Sequence, residues 1–283
     1  MNATILAEAR AALDAAGQLP DSEIEIGMTA LQLARIDAPE ADWQSGRGFL
    51  SSLAQQAMQA ALANKAADAG DGEQRRLVLS GLVHHRLGFR GDSQSYDDLS
   101  NANLLHVIER RRGLPVALGL LWLHAADALG WEAYGIDFPG HFLLALRGDA
   151  GPVMVDVFDG GTRLEARELR ALIKRVEGDK AELKPGMLTA MTNRAVLLRL
   201  QNNIKLRRLR AGDMQAALTC TEDMLRFSPE HAGLWREAGL MNQRLERIGA
   251  AVAALERAVA LAPADPASTR LRELIDELRN RLN

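Results

Sequence analysis

The sequence predicts an α+β chain, mostly helical, with a small antiparallel sheet in its middle. Three observations carry that reading. Apolar residues recur at helical spacing through residues 1–112 and again from about residue 186. Three short β-like runs, divided by Pro-Gly and Asp-Ala-Gly-Pro turns, follow one another between residues 131 and 159. A 34-residue interval separates Pro229 in "LRFSPEH" from Pro263 in "VALAPAD".

A chain of 283 residues, 47% apolar and 25% charged, has the balance of a soluble globular protein and the length for a sizeable core. Its one cysteine, Cys220, excludes an intramolecular disulfide and a Cys-rich metal site, which suits a reducing compartment. The opening stretch "MNATILAEARAALDAAG" has neither the basic start nor the long apolar run of a signal peptide. The longest apolar stretch, around Leu114–Ala126, is too short to span a bilayer. These features predict a cytoplasmic protein that does not enter a membrane. Charge is uneven: residues 185–283 carry 15 Lys+Arg against 11 Asp+Glu, net +4, and residues 1–184 are net −7. The basic run "KLRRLR" at 205–210 reads as a solvated helix face, so no nucleic-acid partner is expected.

The first helices are legible in order. "EIGMTALQLARIDAP" is amphipathic and stops before Pro39, and "GRGFLSSLAQQAMQAALANKAADAG" runs to Gly70. "GEQRRLVLSGLVHHRLGF" follows, then a turn-rich loop, "RGDSQSYDDLSNA". His84 and His85 resemble a ligand pair, but adjacent helix residues point about 100° apart, so partly buried structural histidines are expected. After "NLLHVIERRRG", the stretch "LPVALGLLWLHAADALG" (114–130) is apolar nearly all round, as a helix buried on most sides should be. Pro115 suits its first turn and Gly130 its end. The runs 131–138, 141–148 and 152–159 predict three antiparallel strands; the continuously apolar middle one implies that the helix covers one face.

From about 186 the chain is helical again. Trp235, Gly239, Ala251 and Ala258 stand at the large and small positions of a tetratricopeptide repeat. The preceding unit is more degenerate: it keeps Gly212, Ala217 and Pro229 but has Lys205 at the early glycine position. "ASTRLRELIDELRNRLN" reads as a polar capping helix, and the short array is expected to dock on the first domain. The predicted division is residues 1–184, a helical N-terminal region plus core, and residues 185–283, the repeat region with its cap.

Candidate chemistry centres on "GIDFPGHF". A buried helix, a strand opening with His141 and a strand containing Asp156 follow in that order. An imidazole on one strand could donate to the carboxylate on its neighbour, with the helix N-terminus supplying a reacting group. This order resembles the transglutaminase-like, papain-related arrangement of Cys, His and Asp, in which the helix dipole and imidazolium lower the thiol pKa. Four ordered blocks also resemble the bacterial SirB family: "DDLSNANLLHVIERRRGLPVALGLLWL", "GIDFPGHFLLAL", "VDVFDGG" and "TNRAVLLRLQNNIKLRRLRAGDMQAAL". The resemblance covers roughly residues 90–265. It implies a transglutaminase-like core followed by tetratricopeptide repeats, and such proteins are labelled regulators of SirC expression.

Carried over residue by residue, the resemblance assigns His141 and Asp156 to a vestigial triad and puts the lost cysteine position near Pro115 or Val116. From Gly113 to Gly130 there is no Cys, Ser or Thr. Cys220 reads as a buried thiol on a repeat helix. A structural hydrogen bond is one account of His141 and Asp156. A metal site with Asp137 or Asp159 is another, although no spacing supports it and no cofactor is expected. Arg110, Arg111 and Arg112 precede the helix N-terminus and form a candidate anion-binding group; alternatively, they complement the negative end of the helix they terminate. Two functions compete. One is a non-catalytic interaction or regulatory module that takes a protein or peptide partner through its repeats. The other is a hydrolase or acyltransferase using His141 and Asp156 with a non-cysteine nucleophile, activated water or metal. Oligomeric state is left open by the sequence.

Overall fold

A computed structural model describes residues 2–184 and 186–281. The chain divides into two compact units, one of residues 1–9 and 20–200, the other of residues 10–19 and 201–283. The helices are α1 (Asn2–Gly17), α2 (Ile26–Asp37), α3 (Trp43–Leu62), α4 (Lys65–Asp68), α5 (Gly72–Ser80), α6 (Leu104–Arg110), α7 (Pro115–Ala128), α8 (Ala166–Glu177), α9 (Asn193–Arg210), α10 (Met214–Phe227), α11 (Ala232–Arg244), α12 (Ile248–Leu261) and α13 (Ala267–Asn280). The strands are β1 (Arg90–Gly91), β2 (Arg112–Gly113), β3 (Ala133–Phe138), β4 (His141–Gly148), β5 (Gly151–Asp156) and β6 (Thr162–Leu164).

In the first unit, short polar side chains start the helices. Asp42 accepts from Ser45 N at 3.0 Å, and Asp71 accepts from Glu73 N and Gln74 N, satisfying amides that have no partner within the helix. Asn103 caps α6 through Leu105 N, and its side-chain amide donates to Ala34 O at 2.9 Å, tying that helix to the end of α2. Helix α7 buries residues on every side, including Val116, Leu118, Leu120 and Trp122, as its uniform apolarity predicts.

The main sheet has the order β3-β4-β5-β6, all antiparallel. Pro139 and Gly140 join Phe138 to His141, which are cross-strand partners; Gly140 takes φ +69, open to a residue without Cβ. Strand alternation then divides the two faces. Leu143, Ala145 and Met154 pack with Leu169, Leu172 and Ile173 of α8. Phe142 points the other way, against Gly119 of α7 and Gly135 of β3. The sheet therefore lies between two helices.

Four elements go beyond the sequence expectation. β6 adds a fourth strand beside β5, and three residues are too few for alternation to register. β1 and β2 form a two-residue parallel pair, Arg90 opposite Arg112 and Gly91 opposite Gly113. Helix α8 begins with a capping box, in which Glu165 and Glu168 each accept from the other's backbone.

In the second unit, α11 packs on α12, where Gly239 lies against Leu255. α12 and α13 enclose Ala251, Val252, Leu255, Ile275 and Leu278. Residues 10–19, the end of α1 and the two residues after it, belong here through Arg10, whose Nε donates to Asp223 at 2.8 Å, and Asp14, which accepts from Arg226 at 2.9 Å. Gly17 packs so close to Arg226 O that a Cβ would stand 2.2 Å from it.

Candidate functional site

His141 is half-buried at the start of β4, and the register gives Asp156 the same face of the sheet. Burial pulls the imidazole below its ordinary pKa. Asp156 opposes that shift, while Arg175 and Arg199 reinforce it. Arg199 pairs with Asp137 and donates to His141 O at 3.0 Å, fixing the backbone at the turn. Asp156 Oδ1 accepts the amides of Phe158 (2.9 Å) and Asp159 (3.2 Å), so this carboxylate shapes the turn after β5. Among the described residues no direct hydrogen bond joins His141 to Asp156. Asp156 acts on His141 through its charge, favouring the protonated imidazole across one face of the sheet.

That face is the one α8 covers, whereas Phe142 meets α7 on the opposite side. The alternation thus brings His141 and Asp156 together but puts them on the side of the sheet away from α7. Helix α7 opens with Leu114 as an uncapped N-cap residue, then Pro115, Val116 and Ala117. None of these side chains can act as a nucleophile. Cys220, the only thiol, is buried on α10 with Sγ 3.2 Å from Gln201 Oε1, as expected for a repeat-helix thiol.

The arginine trio does not act as one group. Arg110 donates to Asp92, a carboxylate only 2% exposed, and to Asn101. Asp92 is held below the usual carboxylate range first by the amide of Ser95, and also by Arg110. Arg111 ends α6 in the left-handed region at φ 57, and its guanidinium lies 4.6 Å from the centroids of both Phe49 and Phe89. Its Nη1 is buried without a hydrogen-bond partner, and burial lowers its pKa. Arg112 is in β2, opposite Arg90.

His84 gains a defined role that helical spacing alone did not reveal. Residues Gly81–Arg86 form one wider π turn after α5. Trp122 Nε1 donates to His84 Nε2 at 3.1 Å, and His84 Nδ1 lies 2.8 Å from Phe89 O. Indole can only donate, so Nε2 must be the unprotonated acceptor and Nδ1 the donor. The neighbouring His85 is exposed, with Nδ1 3.3 Å from Ser80 O. Among the described residues, no group of three or more His, Cys, Asp or Glu is placed to hold a metal. Nor is any described helix long and apolar enough to cross a membrane.

Two family models match in tandem: the transglutaminase-like superfamily over residues 47–202 and the tetratricopeptide repeat over residues 204–276. The chain is 32% identical over 198 residues to a UPF0162 protein of Vibrio cholerae, covering 70% of this chain and 73% of the relative. It is 27% identical over 263 residues to a UPF0162 protein of Xylella fastidiosa, covering 92% of each. It is 28% identical over 254 residues to Protein SirB1 of Salmonella typhimurium, covering 89% of this chain and 91% of that one.

Proposed function

Because the chain belongs to the transglutaminase-like superfamily, with a tetratricopeptide-repeat region behind that core, we propose that it is a non-catalytic interaction or regulatory module. Residues 1–184 carry the retained core, and residues 185–283 recognise a protein partner in the cytoplasm. One observation carries the reading: the helix start where the family arrangement needs a thiol offers Pro115, Val116 and Ala117. The sheet geometry supports it, since His141 and Asp156 face α8 and Asp156 is engaged in a turn. Repeat helices present extended surfaces suited to a partner segment.

Two measurements on the full-length protein test this. Incorporation of a labelled amine into a glutamine peptide, and hydrolysis of that peptide, should both stay at background. Turnover that disappears with Cys220→Ala would overturn the non-catalytic reading. Photo-crosslinking residues placed at Glu230 and Ala253, then at Ser93 and Tyr96, should trap the same partner only from the first pair. Trapping confined to the second pair would move recognition to the core.

A further inference from the structure

In the first unit, the end of α3, helix α5 and the π turn after it border an open groove of about 440 Å³. That volume lies within the range of about 300–1,000 Å³ usual for small-molecule sites. Ala60 and Ala63 line one wall. Leu77 and Val78 of α5, with Gly81 and Leu82 of the π turn, line the other. Leu77 is 45% exposed, a large apolar side chain held at a rim that faces solvent.

Gly81 keeps this groove wide. Its dihedrals, φ −57 and ψ −42, are those of any helical residue. A Cβ there would meet nothing within 4 Å beyond its own helix. Gly17 and Gly239 are different, because close neighbours exclude a side chain at each. At Gly81 neither backbone conformation nor packing calls for glycine, the poorest helix former after proline. What glycine does there is leave room beside Leu77 and Val78.

The polar groups of the lining stand at its two ends. Asn64 Nδ2 donates to Gln74 Oε1 at 3.1 Å, and the Gln74 amide nitrogen has no hydrogen-bond partner among the described residues. Twelve positions further on, Arg86 is exposed and has no carboxylate partner among the described residues. The two ends are therefore no more than about 18 Å apart at α-helical rise. Between them the lining is apolar, and among the described residues no Asp or Glu contributes to it. Such a groove suits an occupant that is long, apolar along its length and negative at one end. A bilayer surface draws on several cations at once, whereas Arg86 is the one charged side chain of this lining.

We propose that the groove binds a free aliphatic carboxylic acid of medium chain length. Its carboxylate meets Arg86, and its chain lies against Leu77, Val78 and Leu82 towards Gln74. The site is separate from the repeat region and takes a ligand of another class, so it stands or falls independently of partner recognition there.

Isothermal titration of the delipidated full-length protein with dodecanoate should show one saturable site. Dodecanol has the same chain without the charge and should bind at least about tenfold more weakly. Arg86→Gln should bring dodecanoate down to the affinity of dodecanol and leave dodecanol unchanged. Gly81→Leu fills the groove and should abolish binding of both probes without lowering the thermal midpoint. Leu77→Asp, at the exposed rim, should also abolish dodecanoate binding, and it keeps the test open if Gly81→Leu fails to fold. Arg47→Gln, at an exposed cation elsewhere on α3, should change nothing. Dodecanoate binding that survives Gly81→Leu and Leu77→Asp would refute the site. Equal affinity for dodecanoate and dodecanol would refute the anionic occupant, and failure of both probes to bind would overturn the proposal outright. Co-sedimentation with phosphatidylglycerol vesicles, lost with Arg86→Gln while dodecanoate does not bind, would replace the free acid with a lipid surface.

Discussion

Acidification should break the bond between Trp122 and His84. The indole is fully buried and can only donate, while an imidazolium has no lone pair left to accept. Burial is the largest influence holding His84 below its ordinary pKa. The Phe89 carbonyl opposes it, as do the more distant Asp156 and Asp159, and His85 adds to it. The unfolded imidazole titrates near about 6.5 and the folded one lower, so between those values the unfolded chain binds more protons. The contribution of His84 is therefore complete above about pH 6.5, is lost as pH falls towards the folded value, and then levels off. Each pKa unit of separation removes about 1.4 kcal/mol. Leaving the buried indole N–H without an acceptor costs about 1–3 kcal/mol, an estimate of the same event from geometry. Urea unfolding at about pH 7.5, 6.5 and 5.5 measures the slope. His84→Gln keeps an acceptor with no proton to gain, so its stability should fall less steeply than that of the wild type. His141 shifts in the same direction, and His141→Asn isolates its share. Equal slopes for wild type and His84→Gln would refute the assigned tautomer and the role of the bond.

Asp156→Ala should cost about 1–2 kcal/mol by removing the acceptor for Phe158 N and Asp159 N. It should also move the His141 titration to lower pH, because an opposing attraction is lost; imidazole NMR checks this, and an unmoved titration would break the electrostatic link. Gly239→Val brings its first added carbon within 2.6 Å of buried Leu255 and should lower stability by about 1–3 kcal/mol in thermal unfolding. Asp223→Ala leaves the Arg10 and Arg226 guanidiniums without their shared carboxylate. Because both arginines are about one-third exposed, the loss should be on the order of 1–3 kcal/mol, below that of a fully buried pair, and unchanged stability would remove this network from the account of the fold.

The helical pattern, the buried α7, the central strands and the two repeat units were legible because each repeats a local period over many residues. The short β6 and the parallel pair were not, since two or three residues carry no period. Helix α8 did leave a signal: Glu165 and Glu168 before Leu169, Leu172 and Ile173 form a capping box followed by an apolar stripe. At the site, "PGHF" located the turn and His141, and the register of β4 and β5 follows from the Pro-Gly and Asp-Ala turns. Which face of the sheet meets α7 depends on Phe142 against Gly119, a contact between distant segments that alternation alone cannot assign. His84 was obscured because the π turn shifts its direction away from α-helical spacing.

Residues 10–19 are synthesised well before the helix that completes their unit, which lies more than two hundred residues later; Arg10 and Asp223 are separated by 213 positions. At about 5–20 residues per second, Leu13 and Ala16 wait on the order of 10–40 s for the chain that covers them. Over that interval the face carrying Leu13 and Ala16 has no covering unit. Because the closing contact spans so much of the chain, its loop entropy must be overcome late, and final assembly of the second unit should be the slow phase of folding. A variant lacking residues 10–19 would keep α10 to α13 and still lack a piece of that unit's interior.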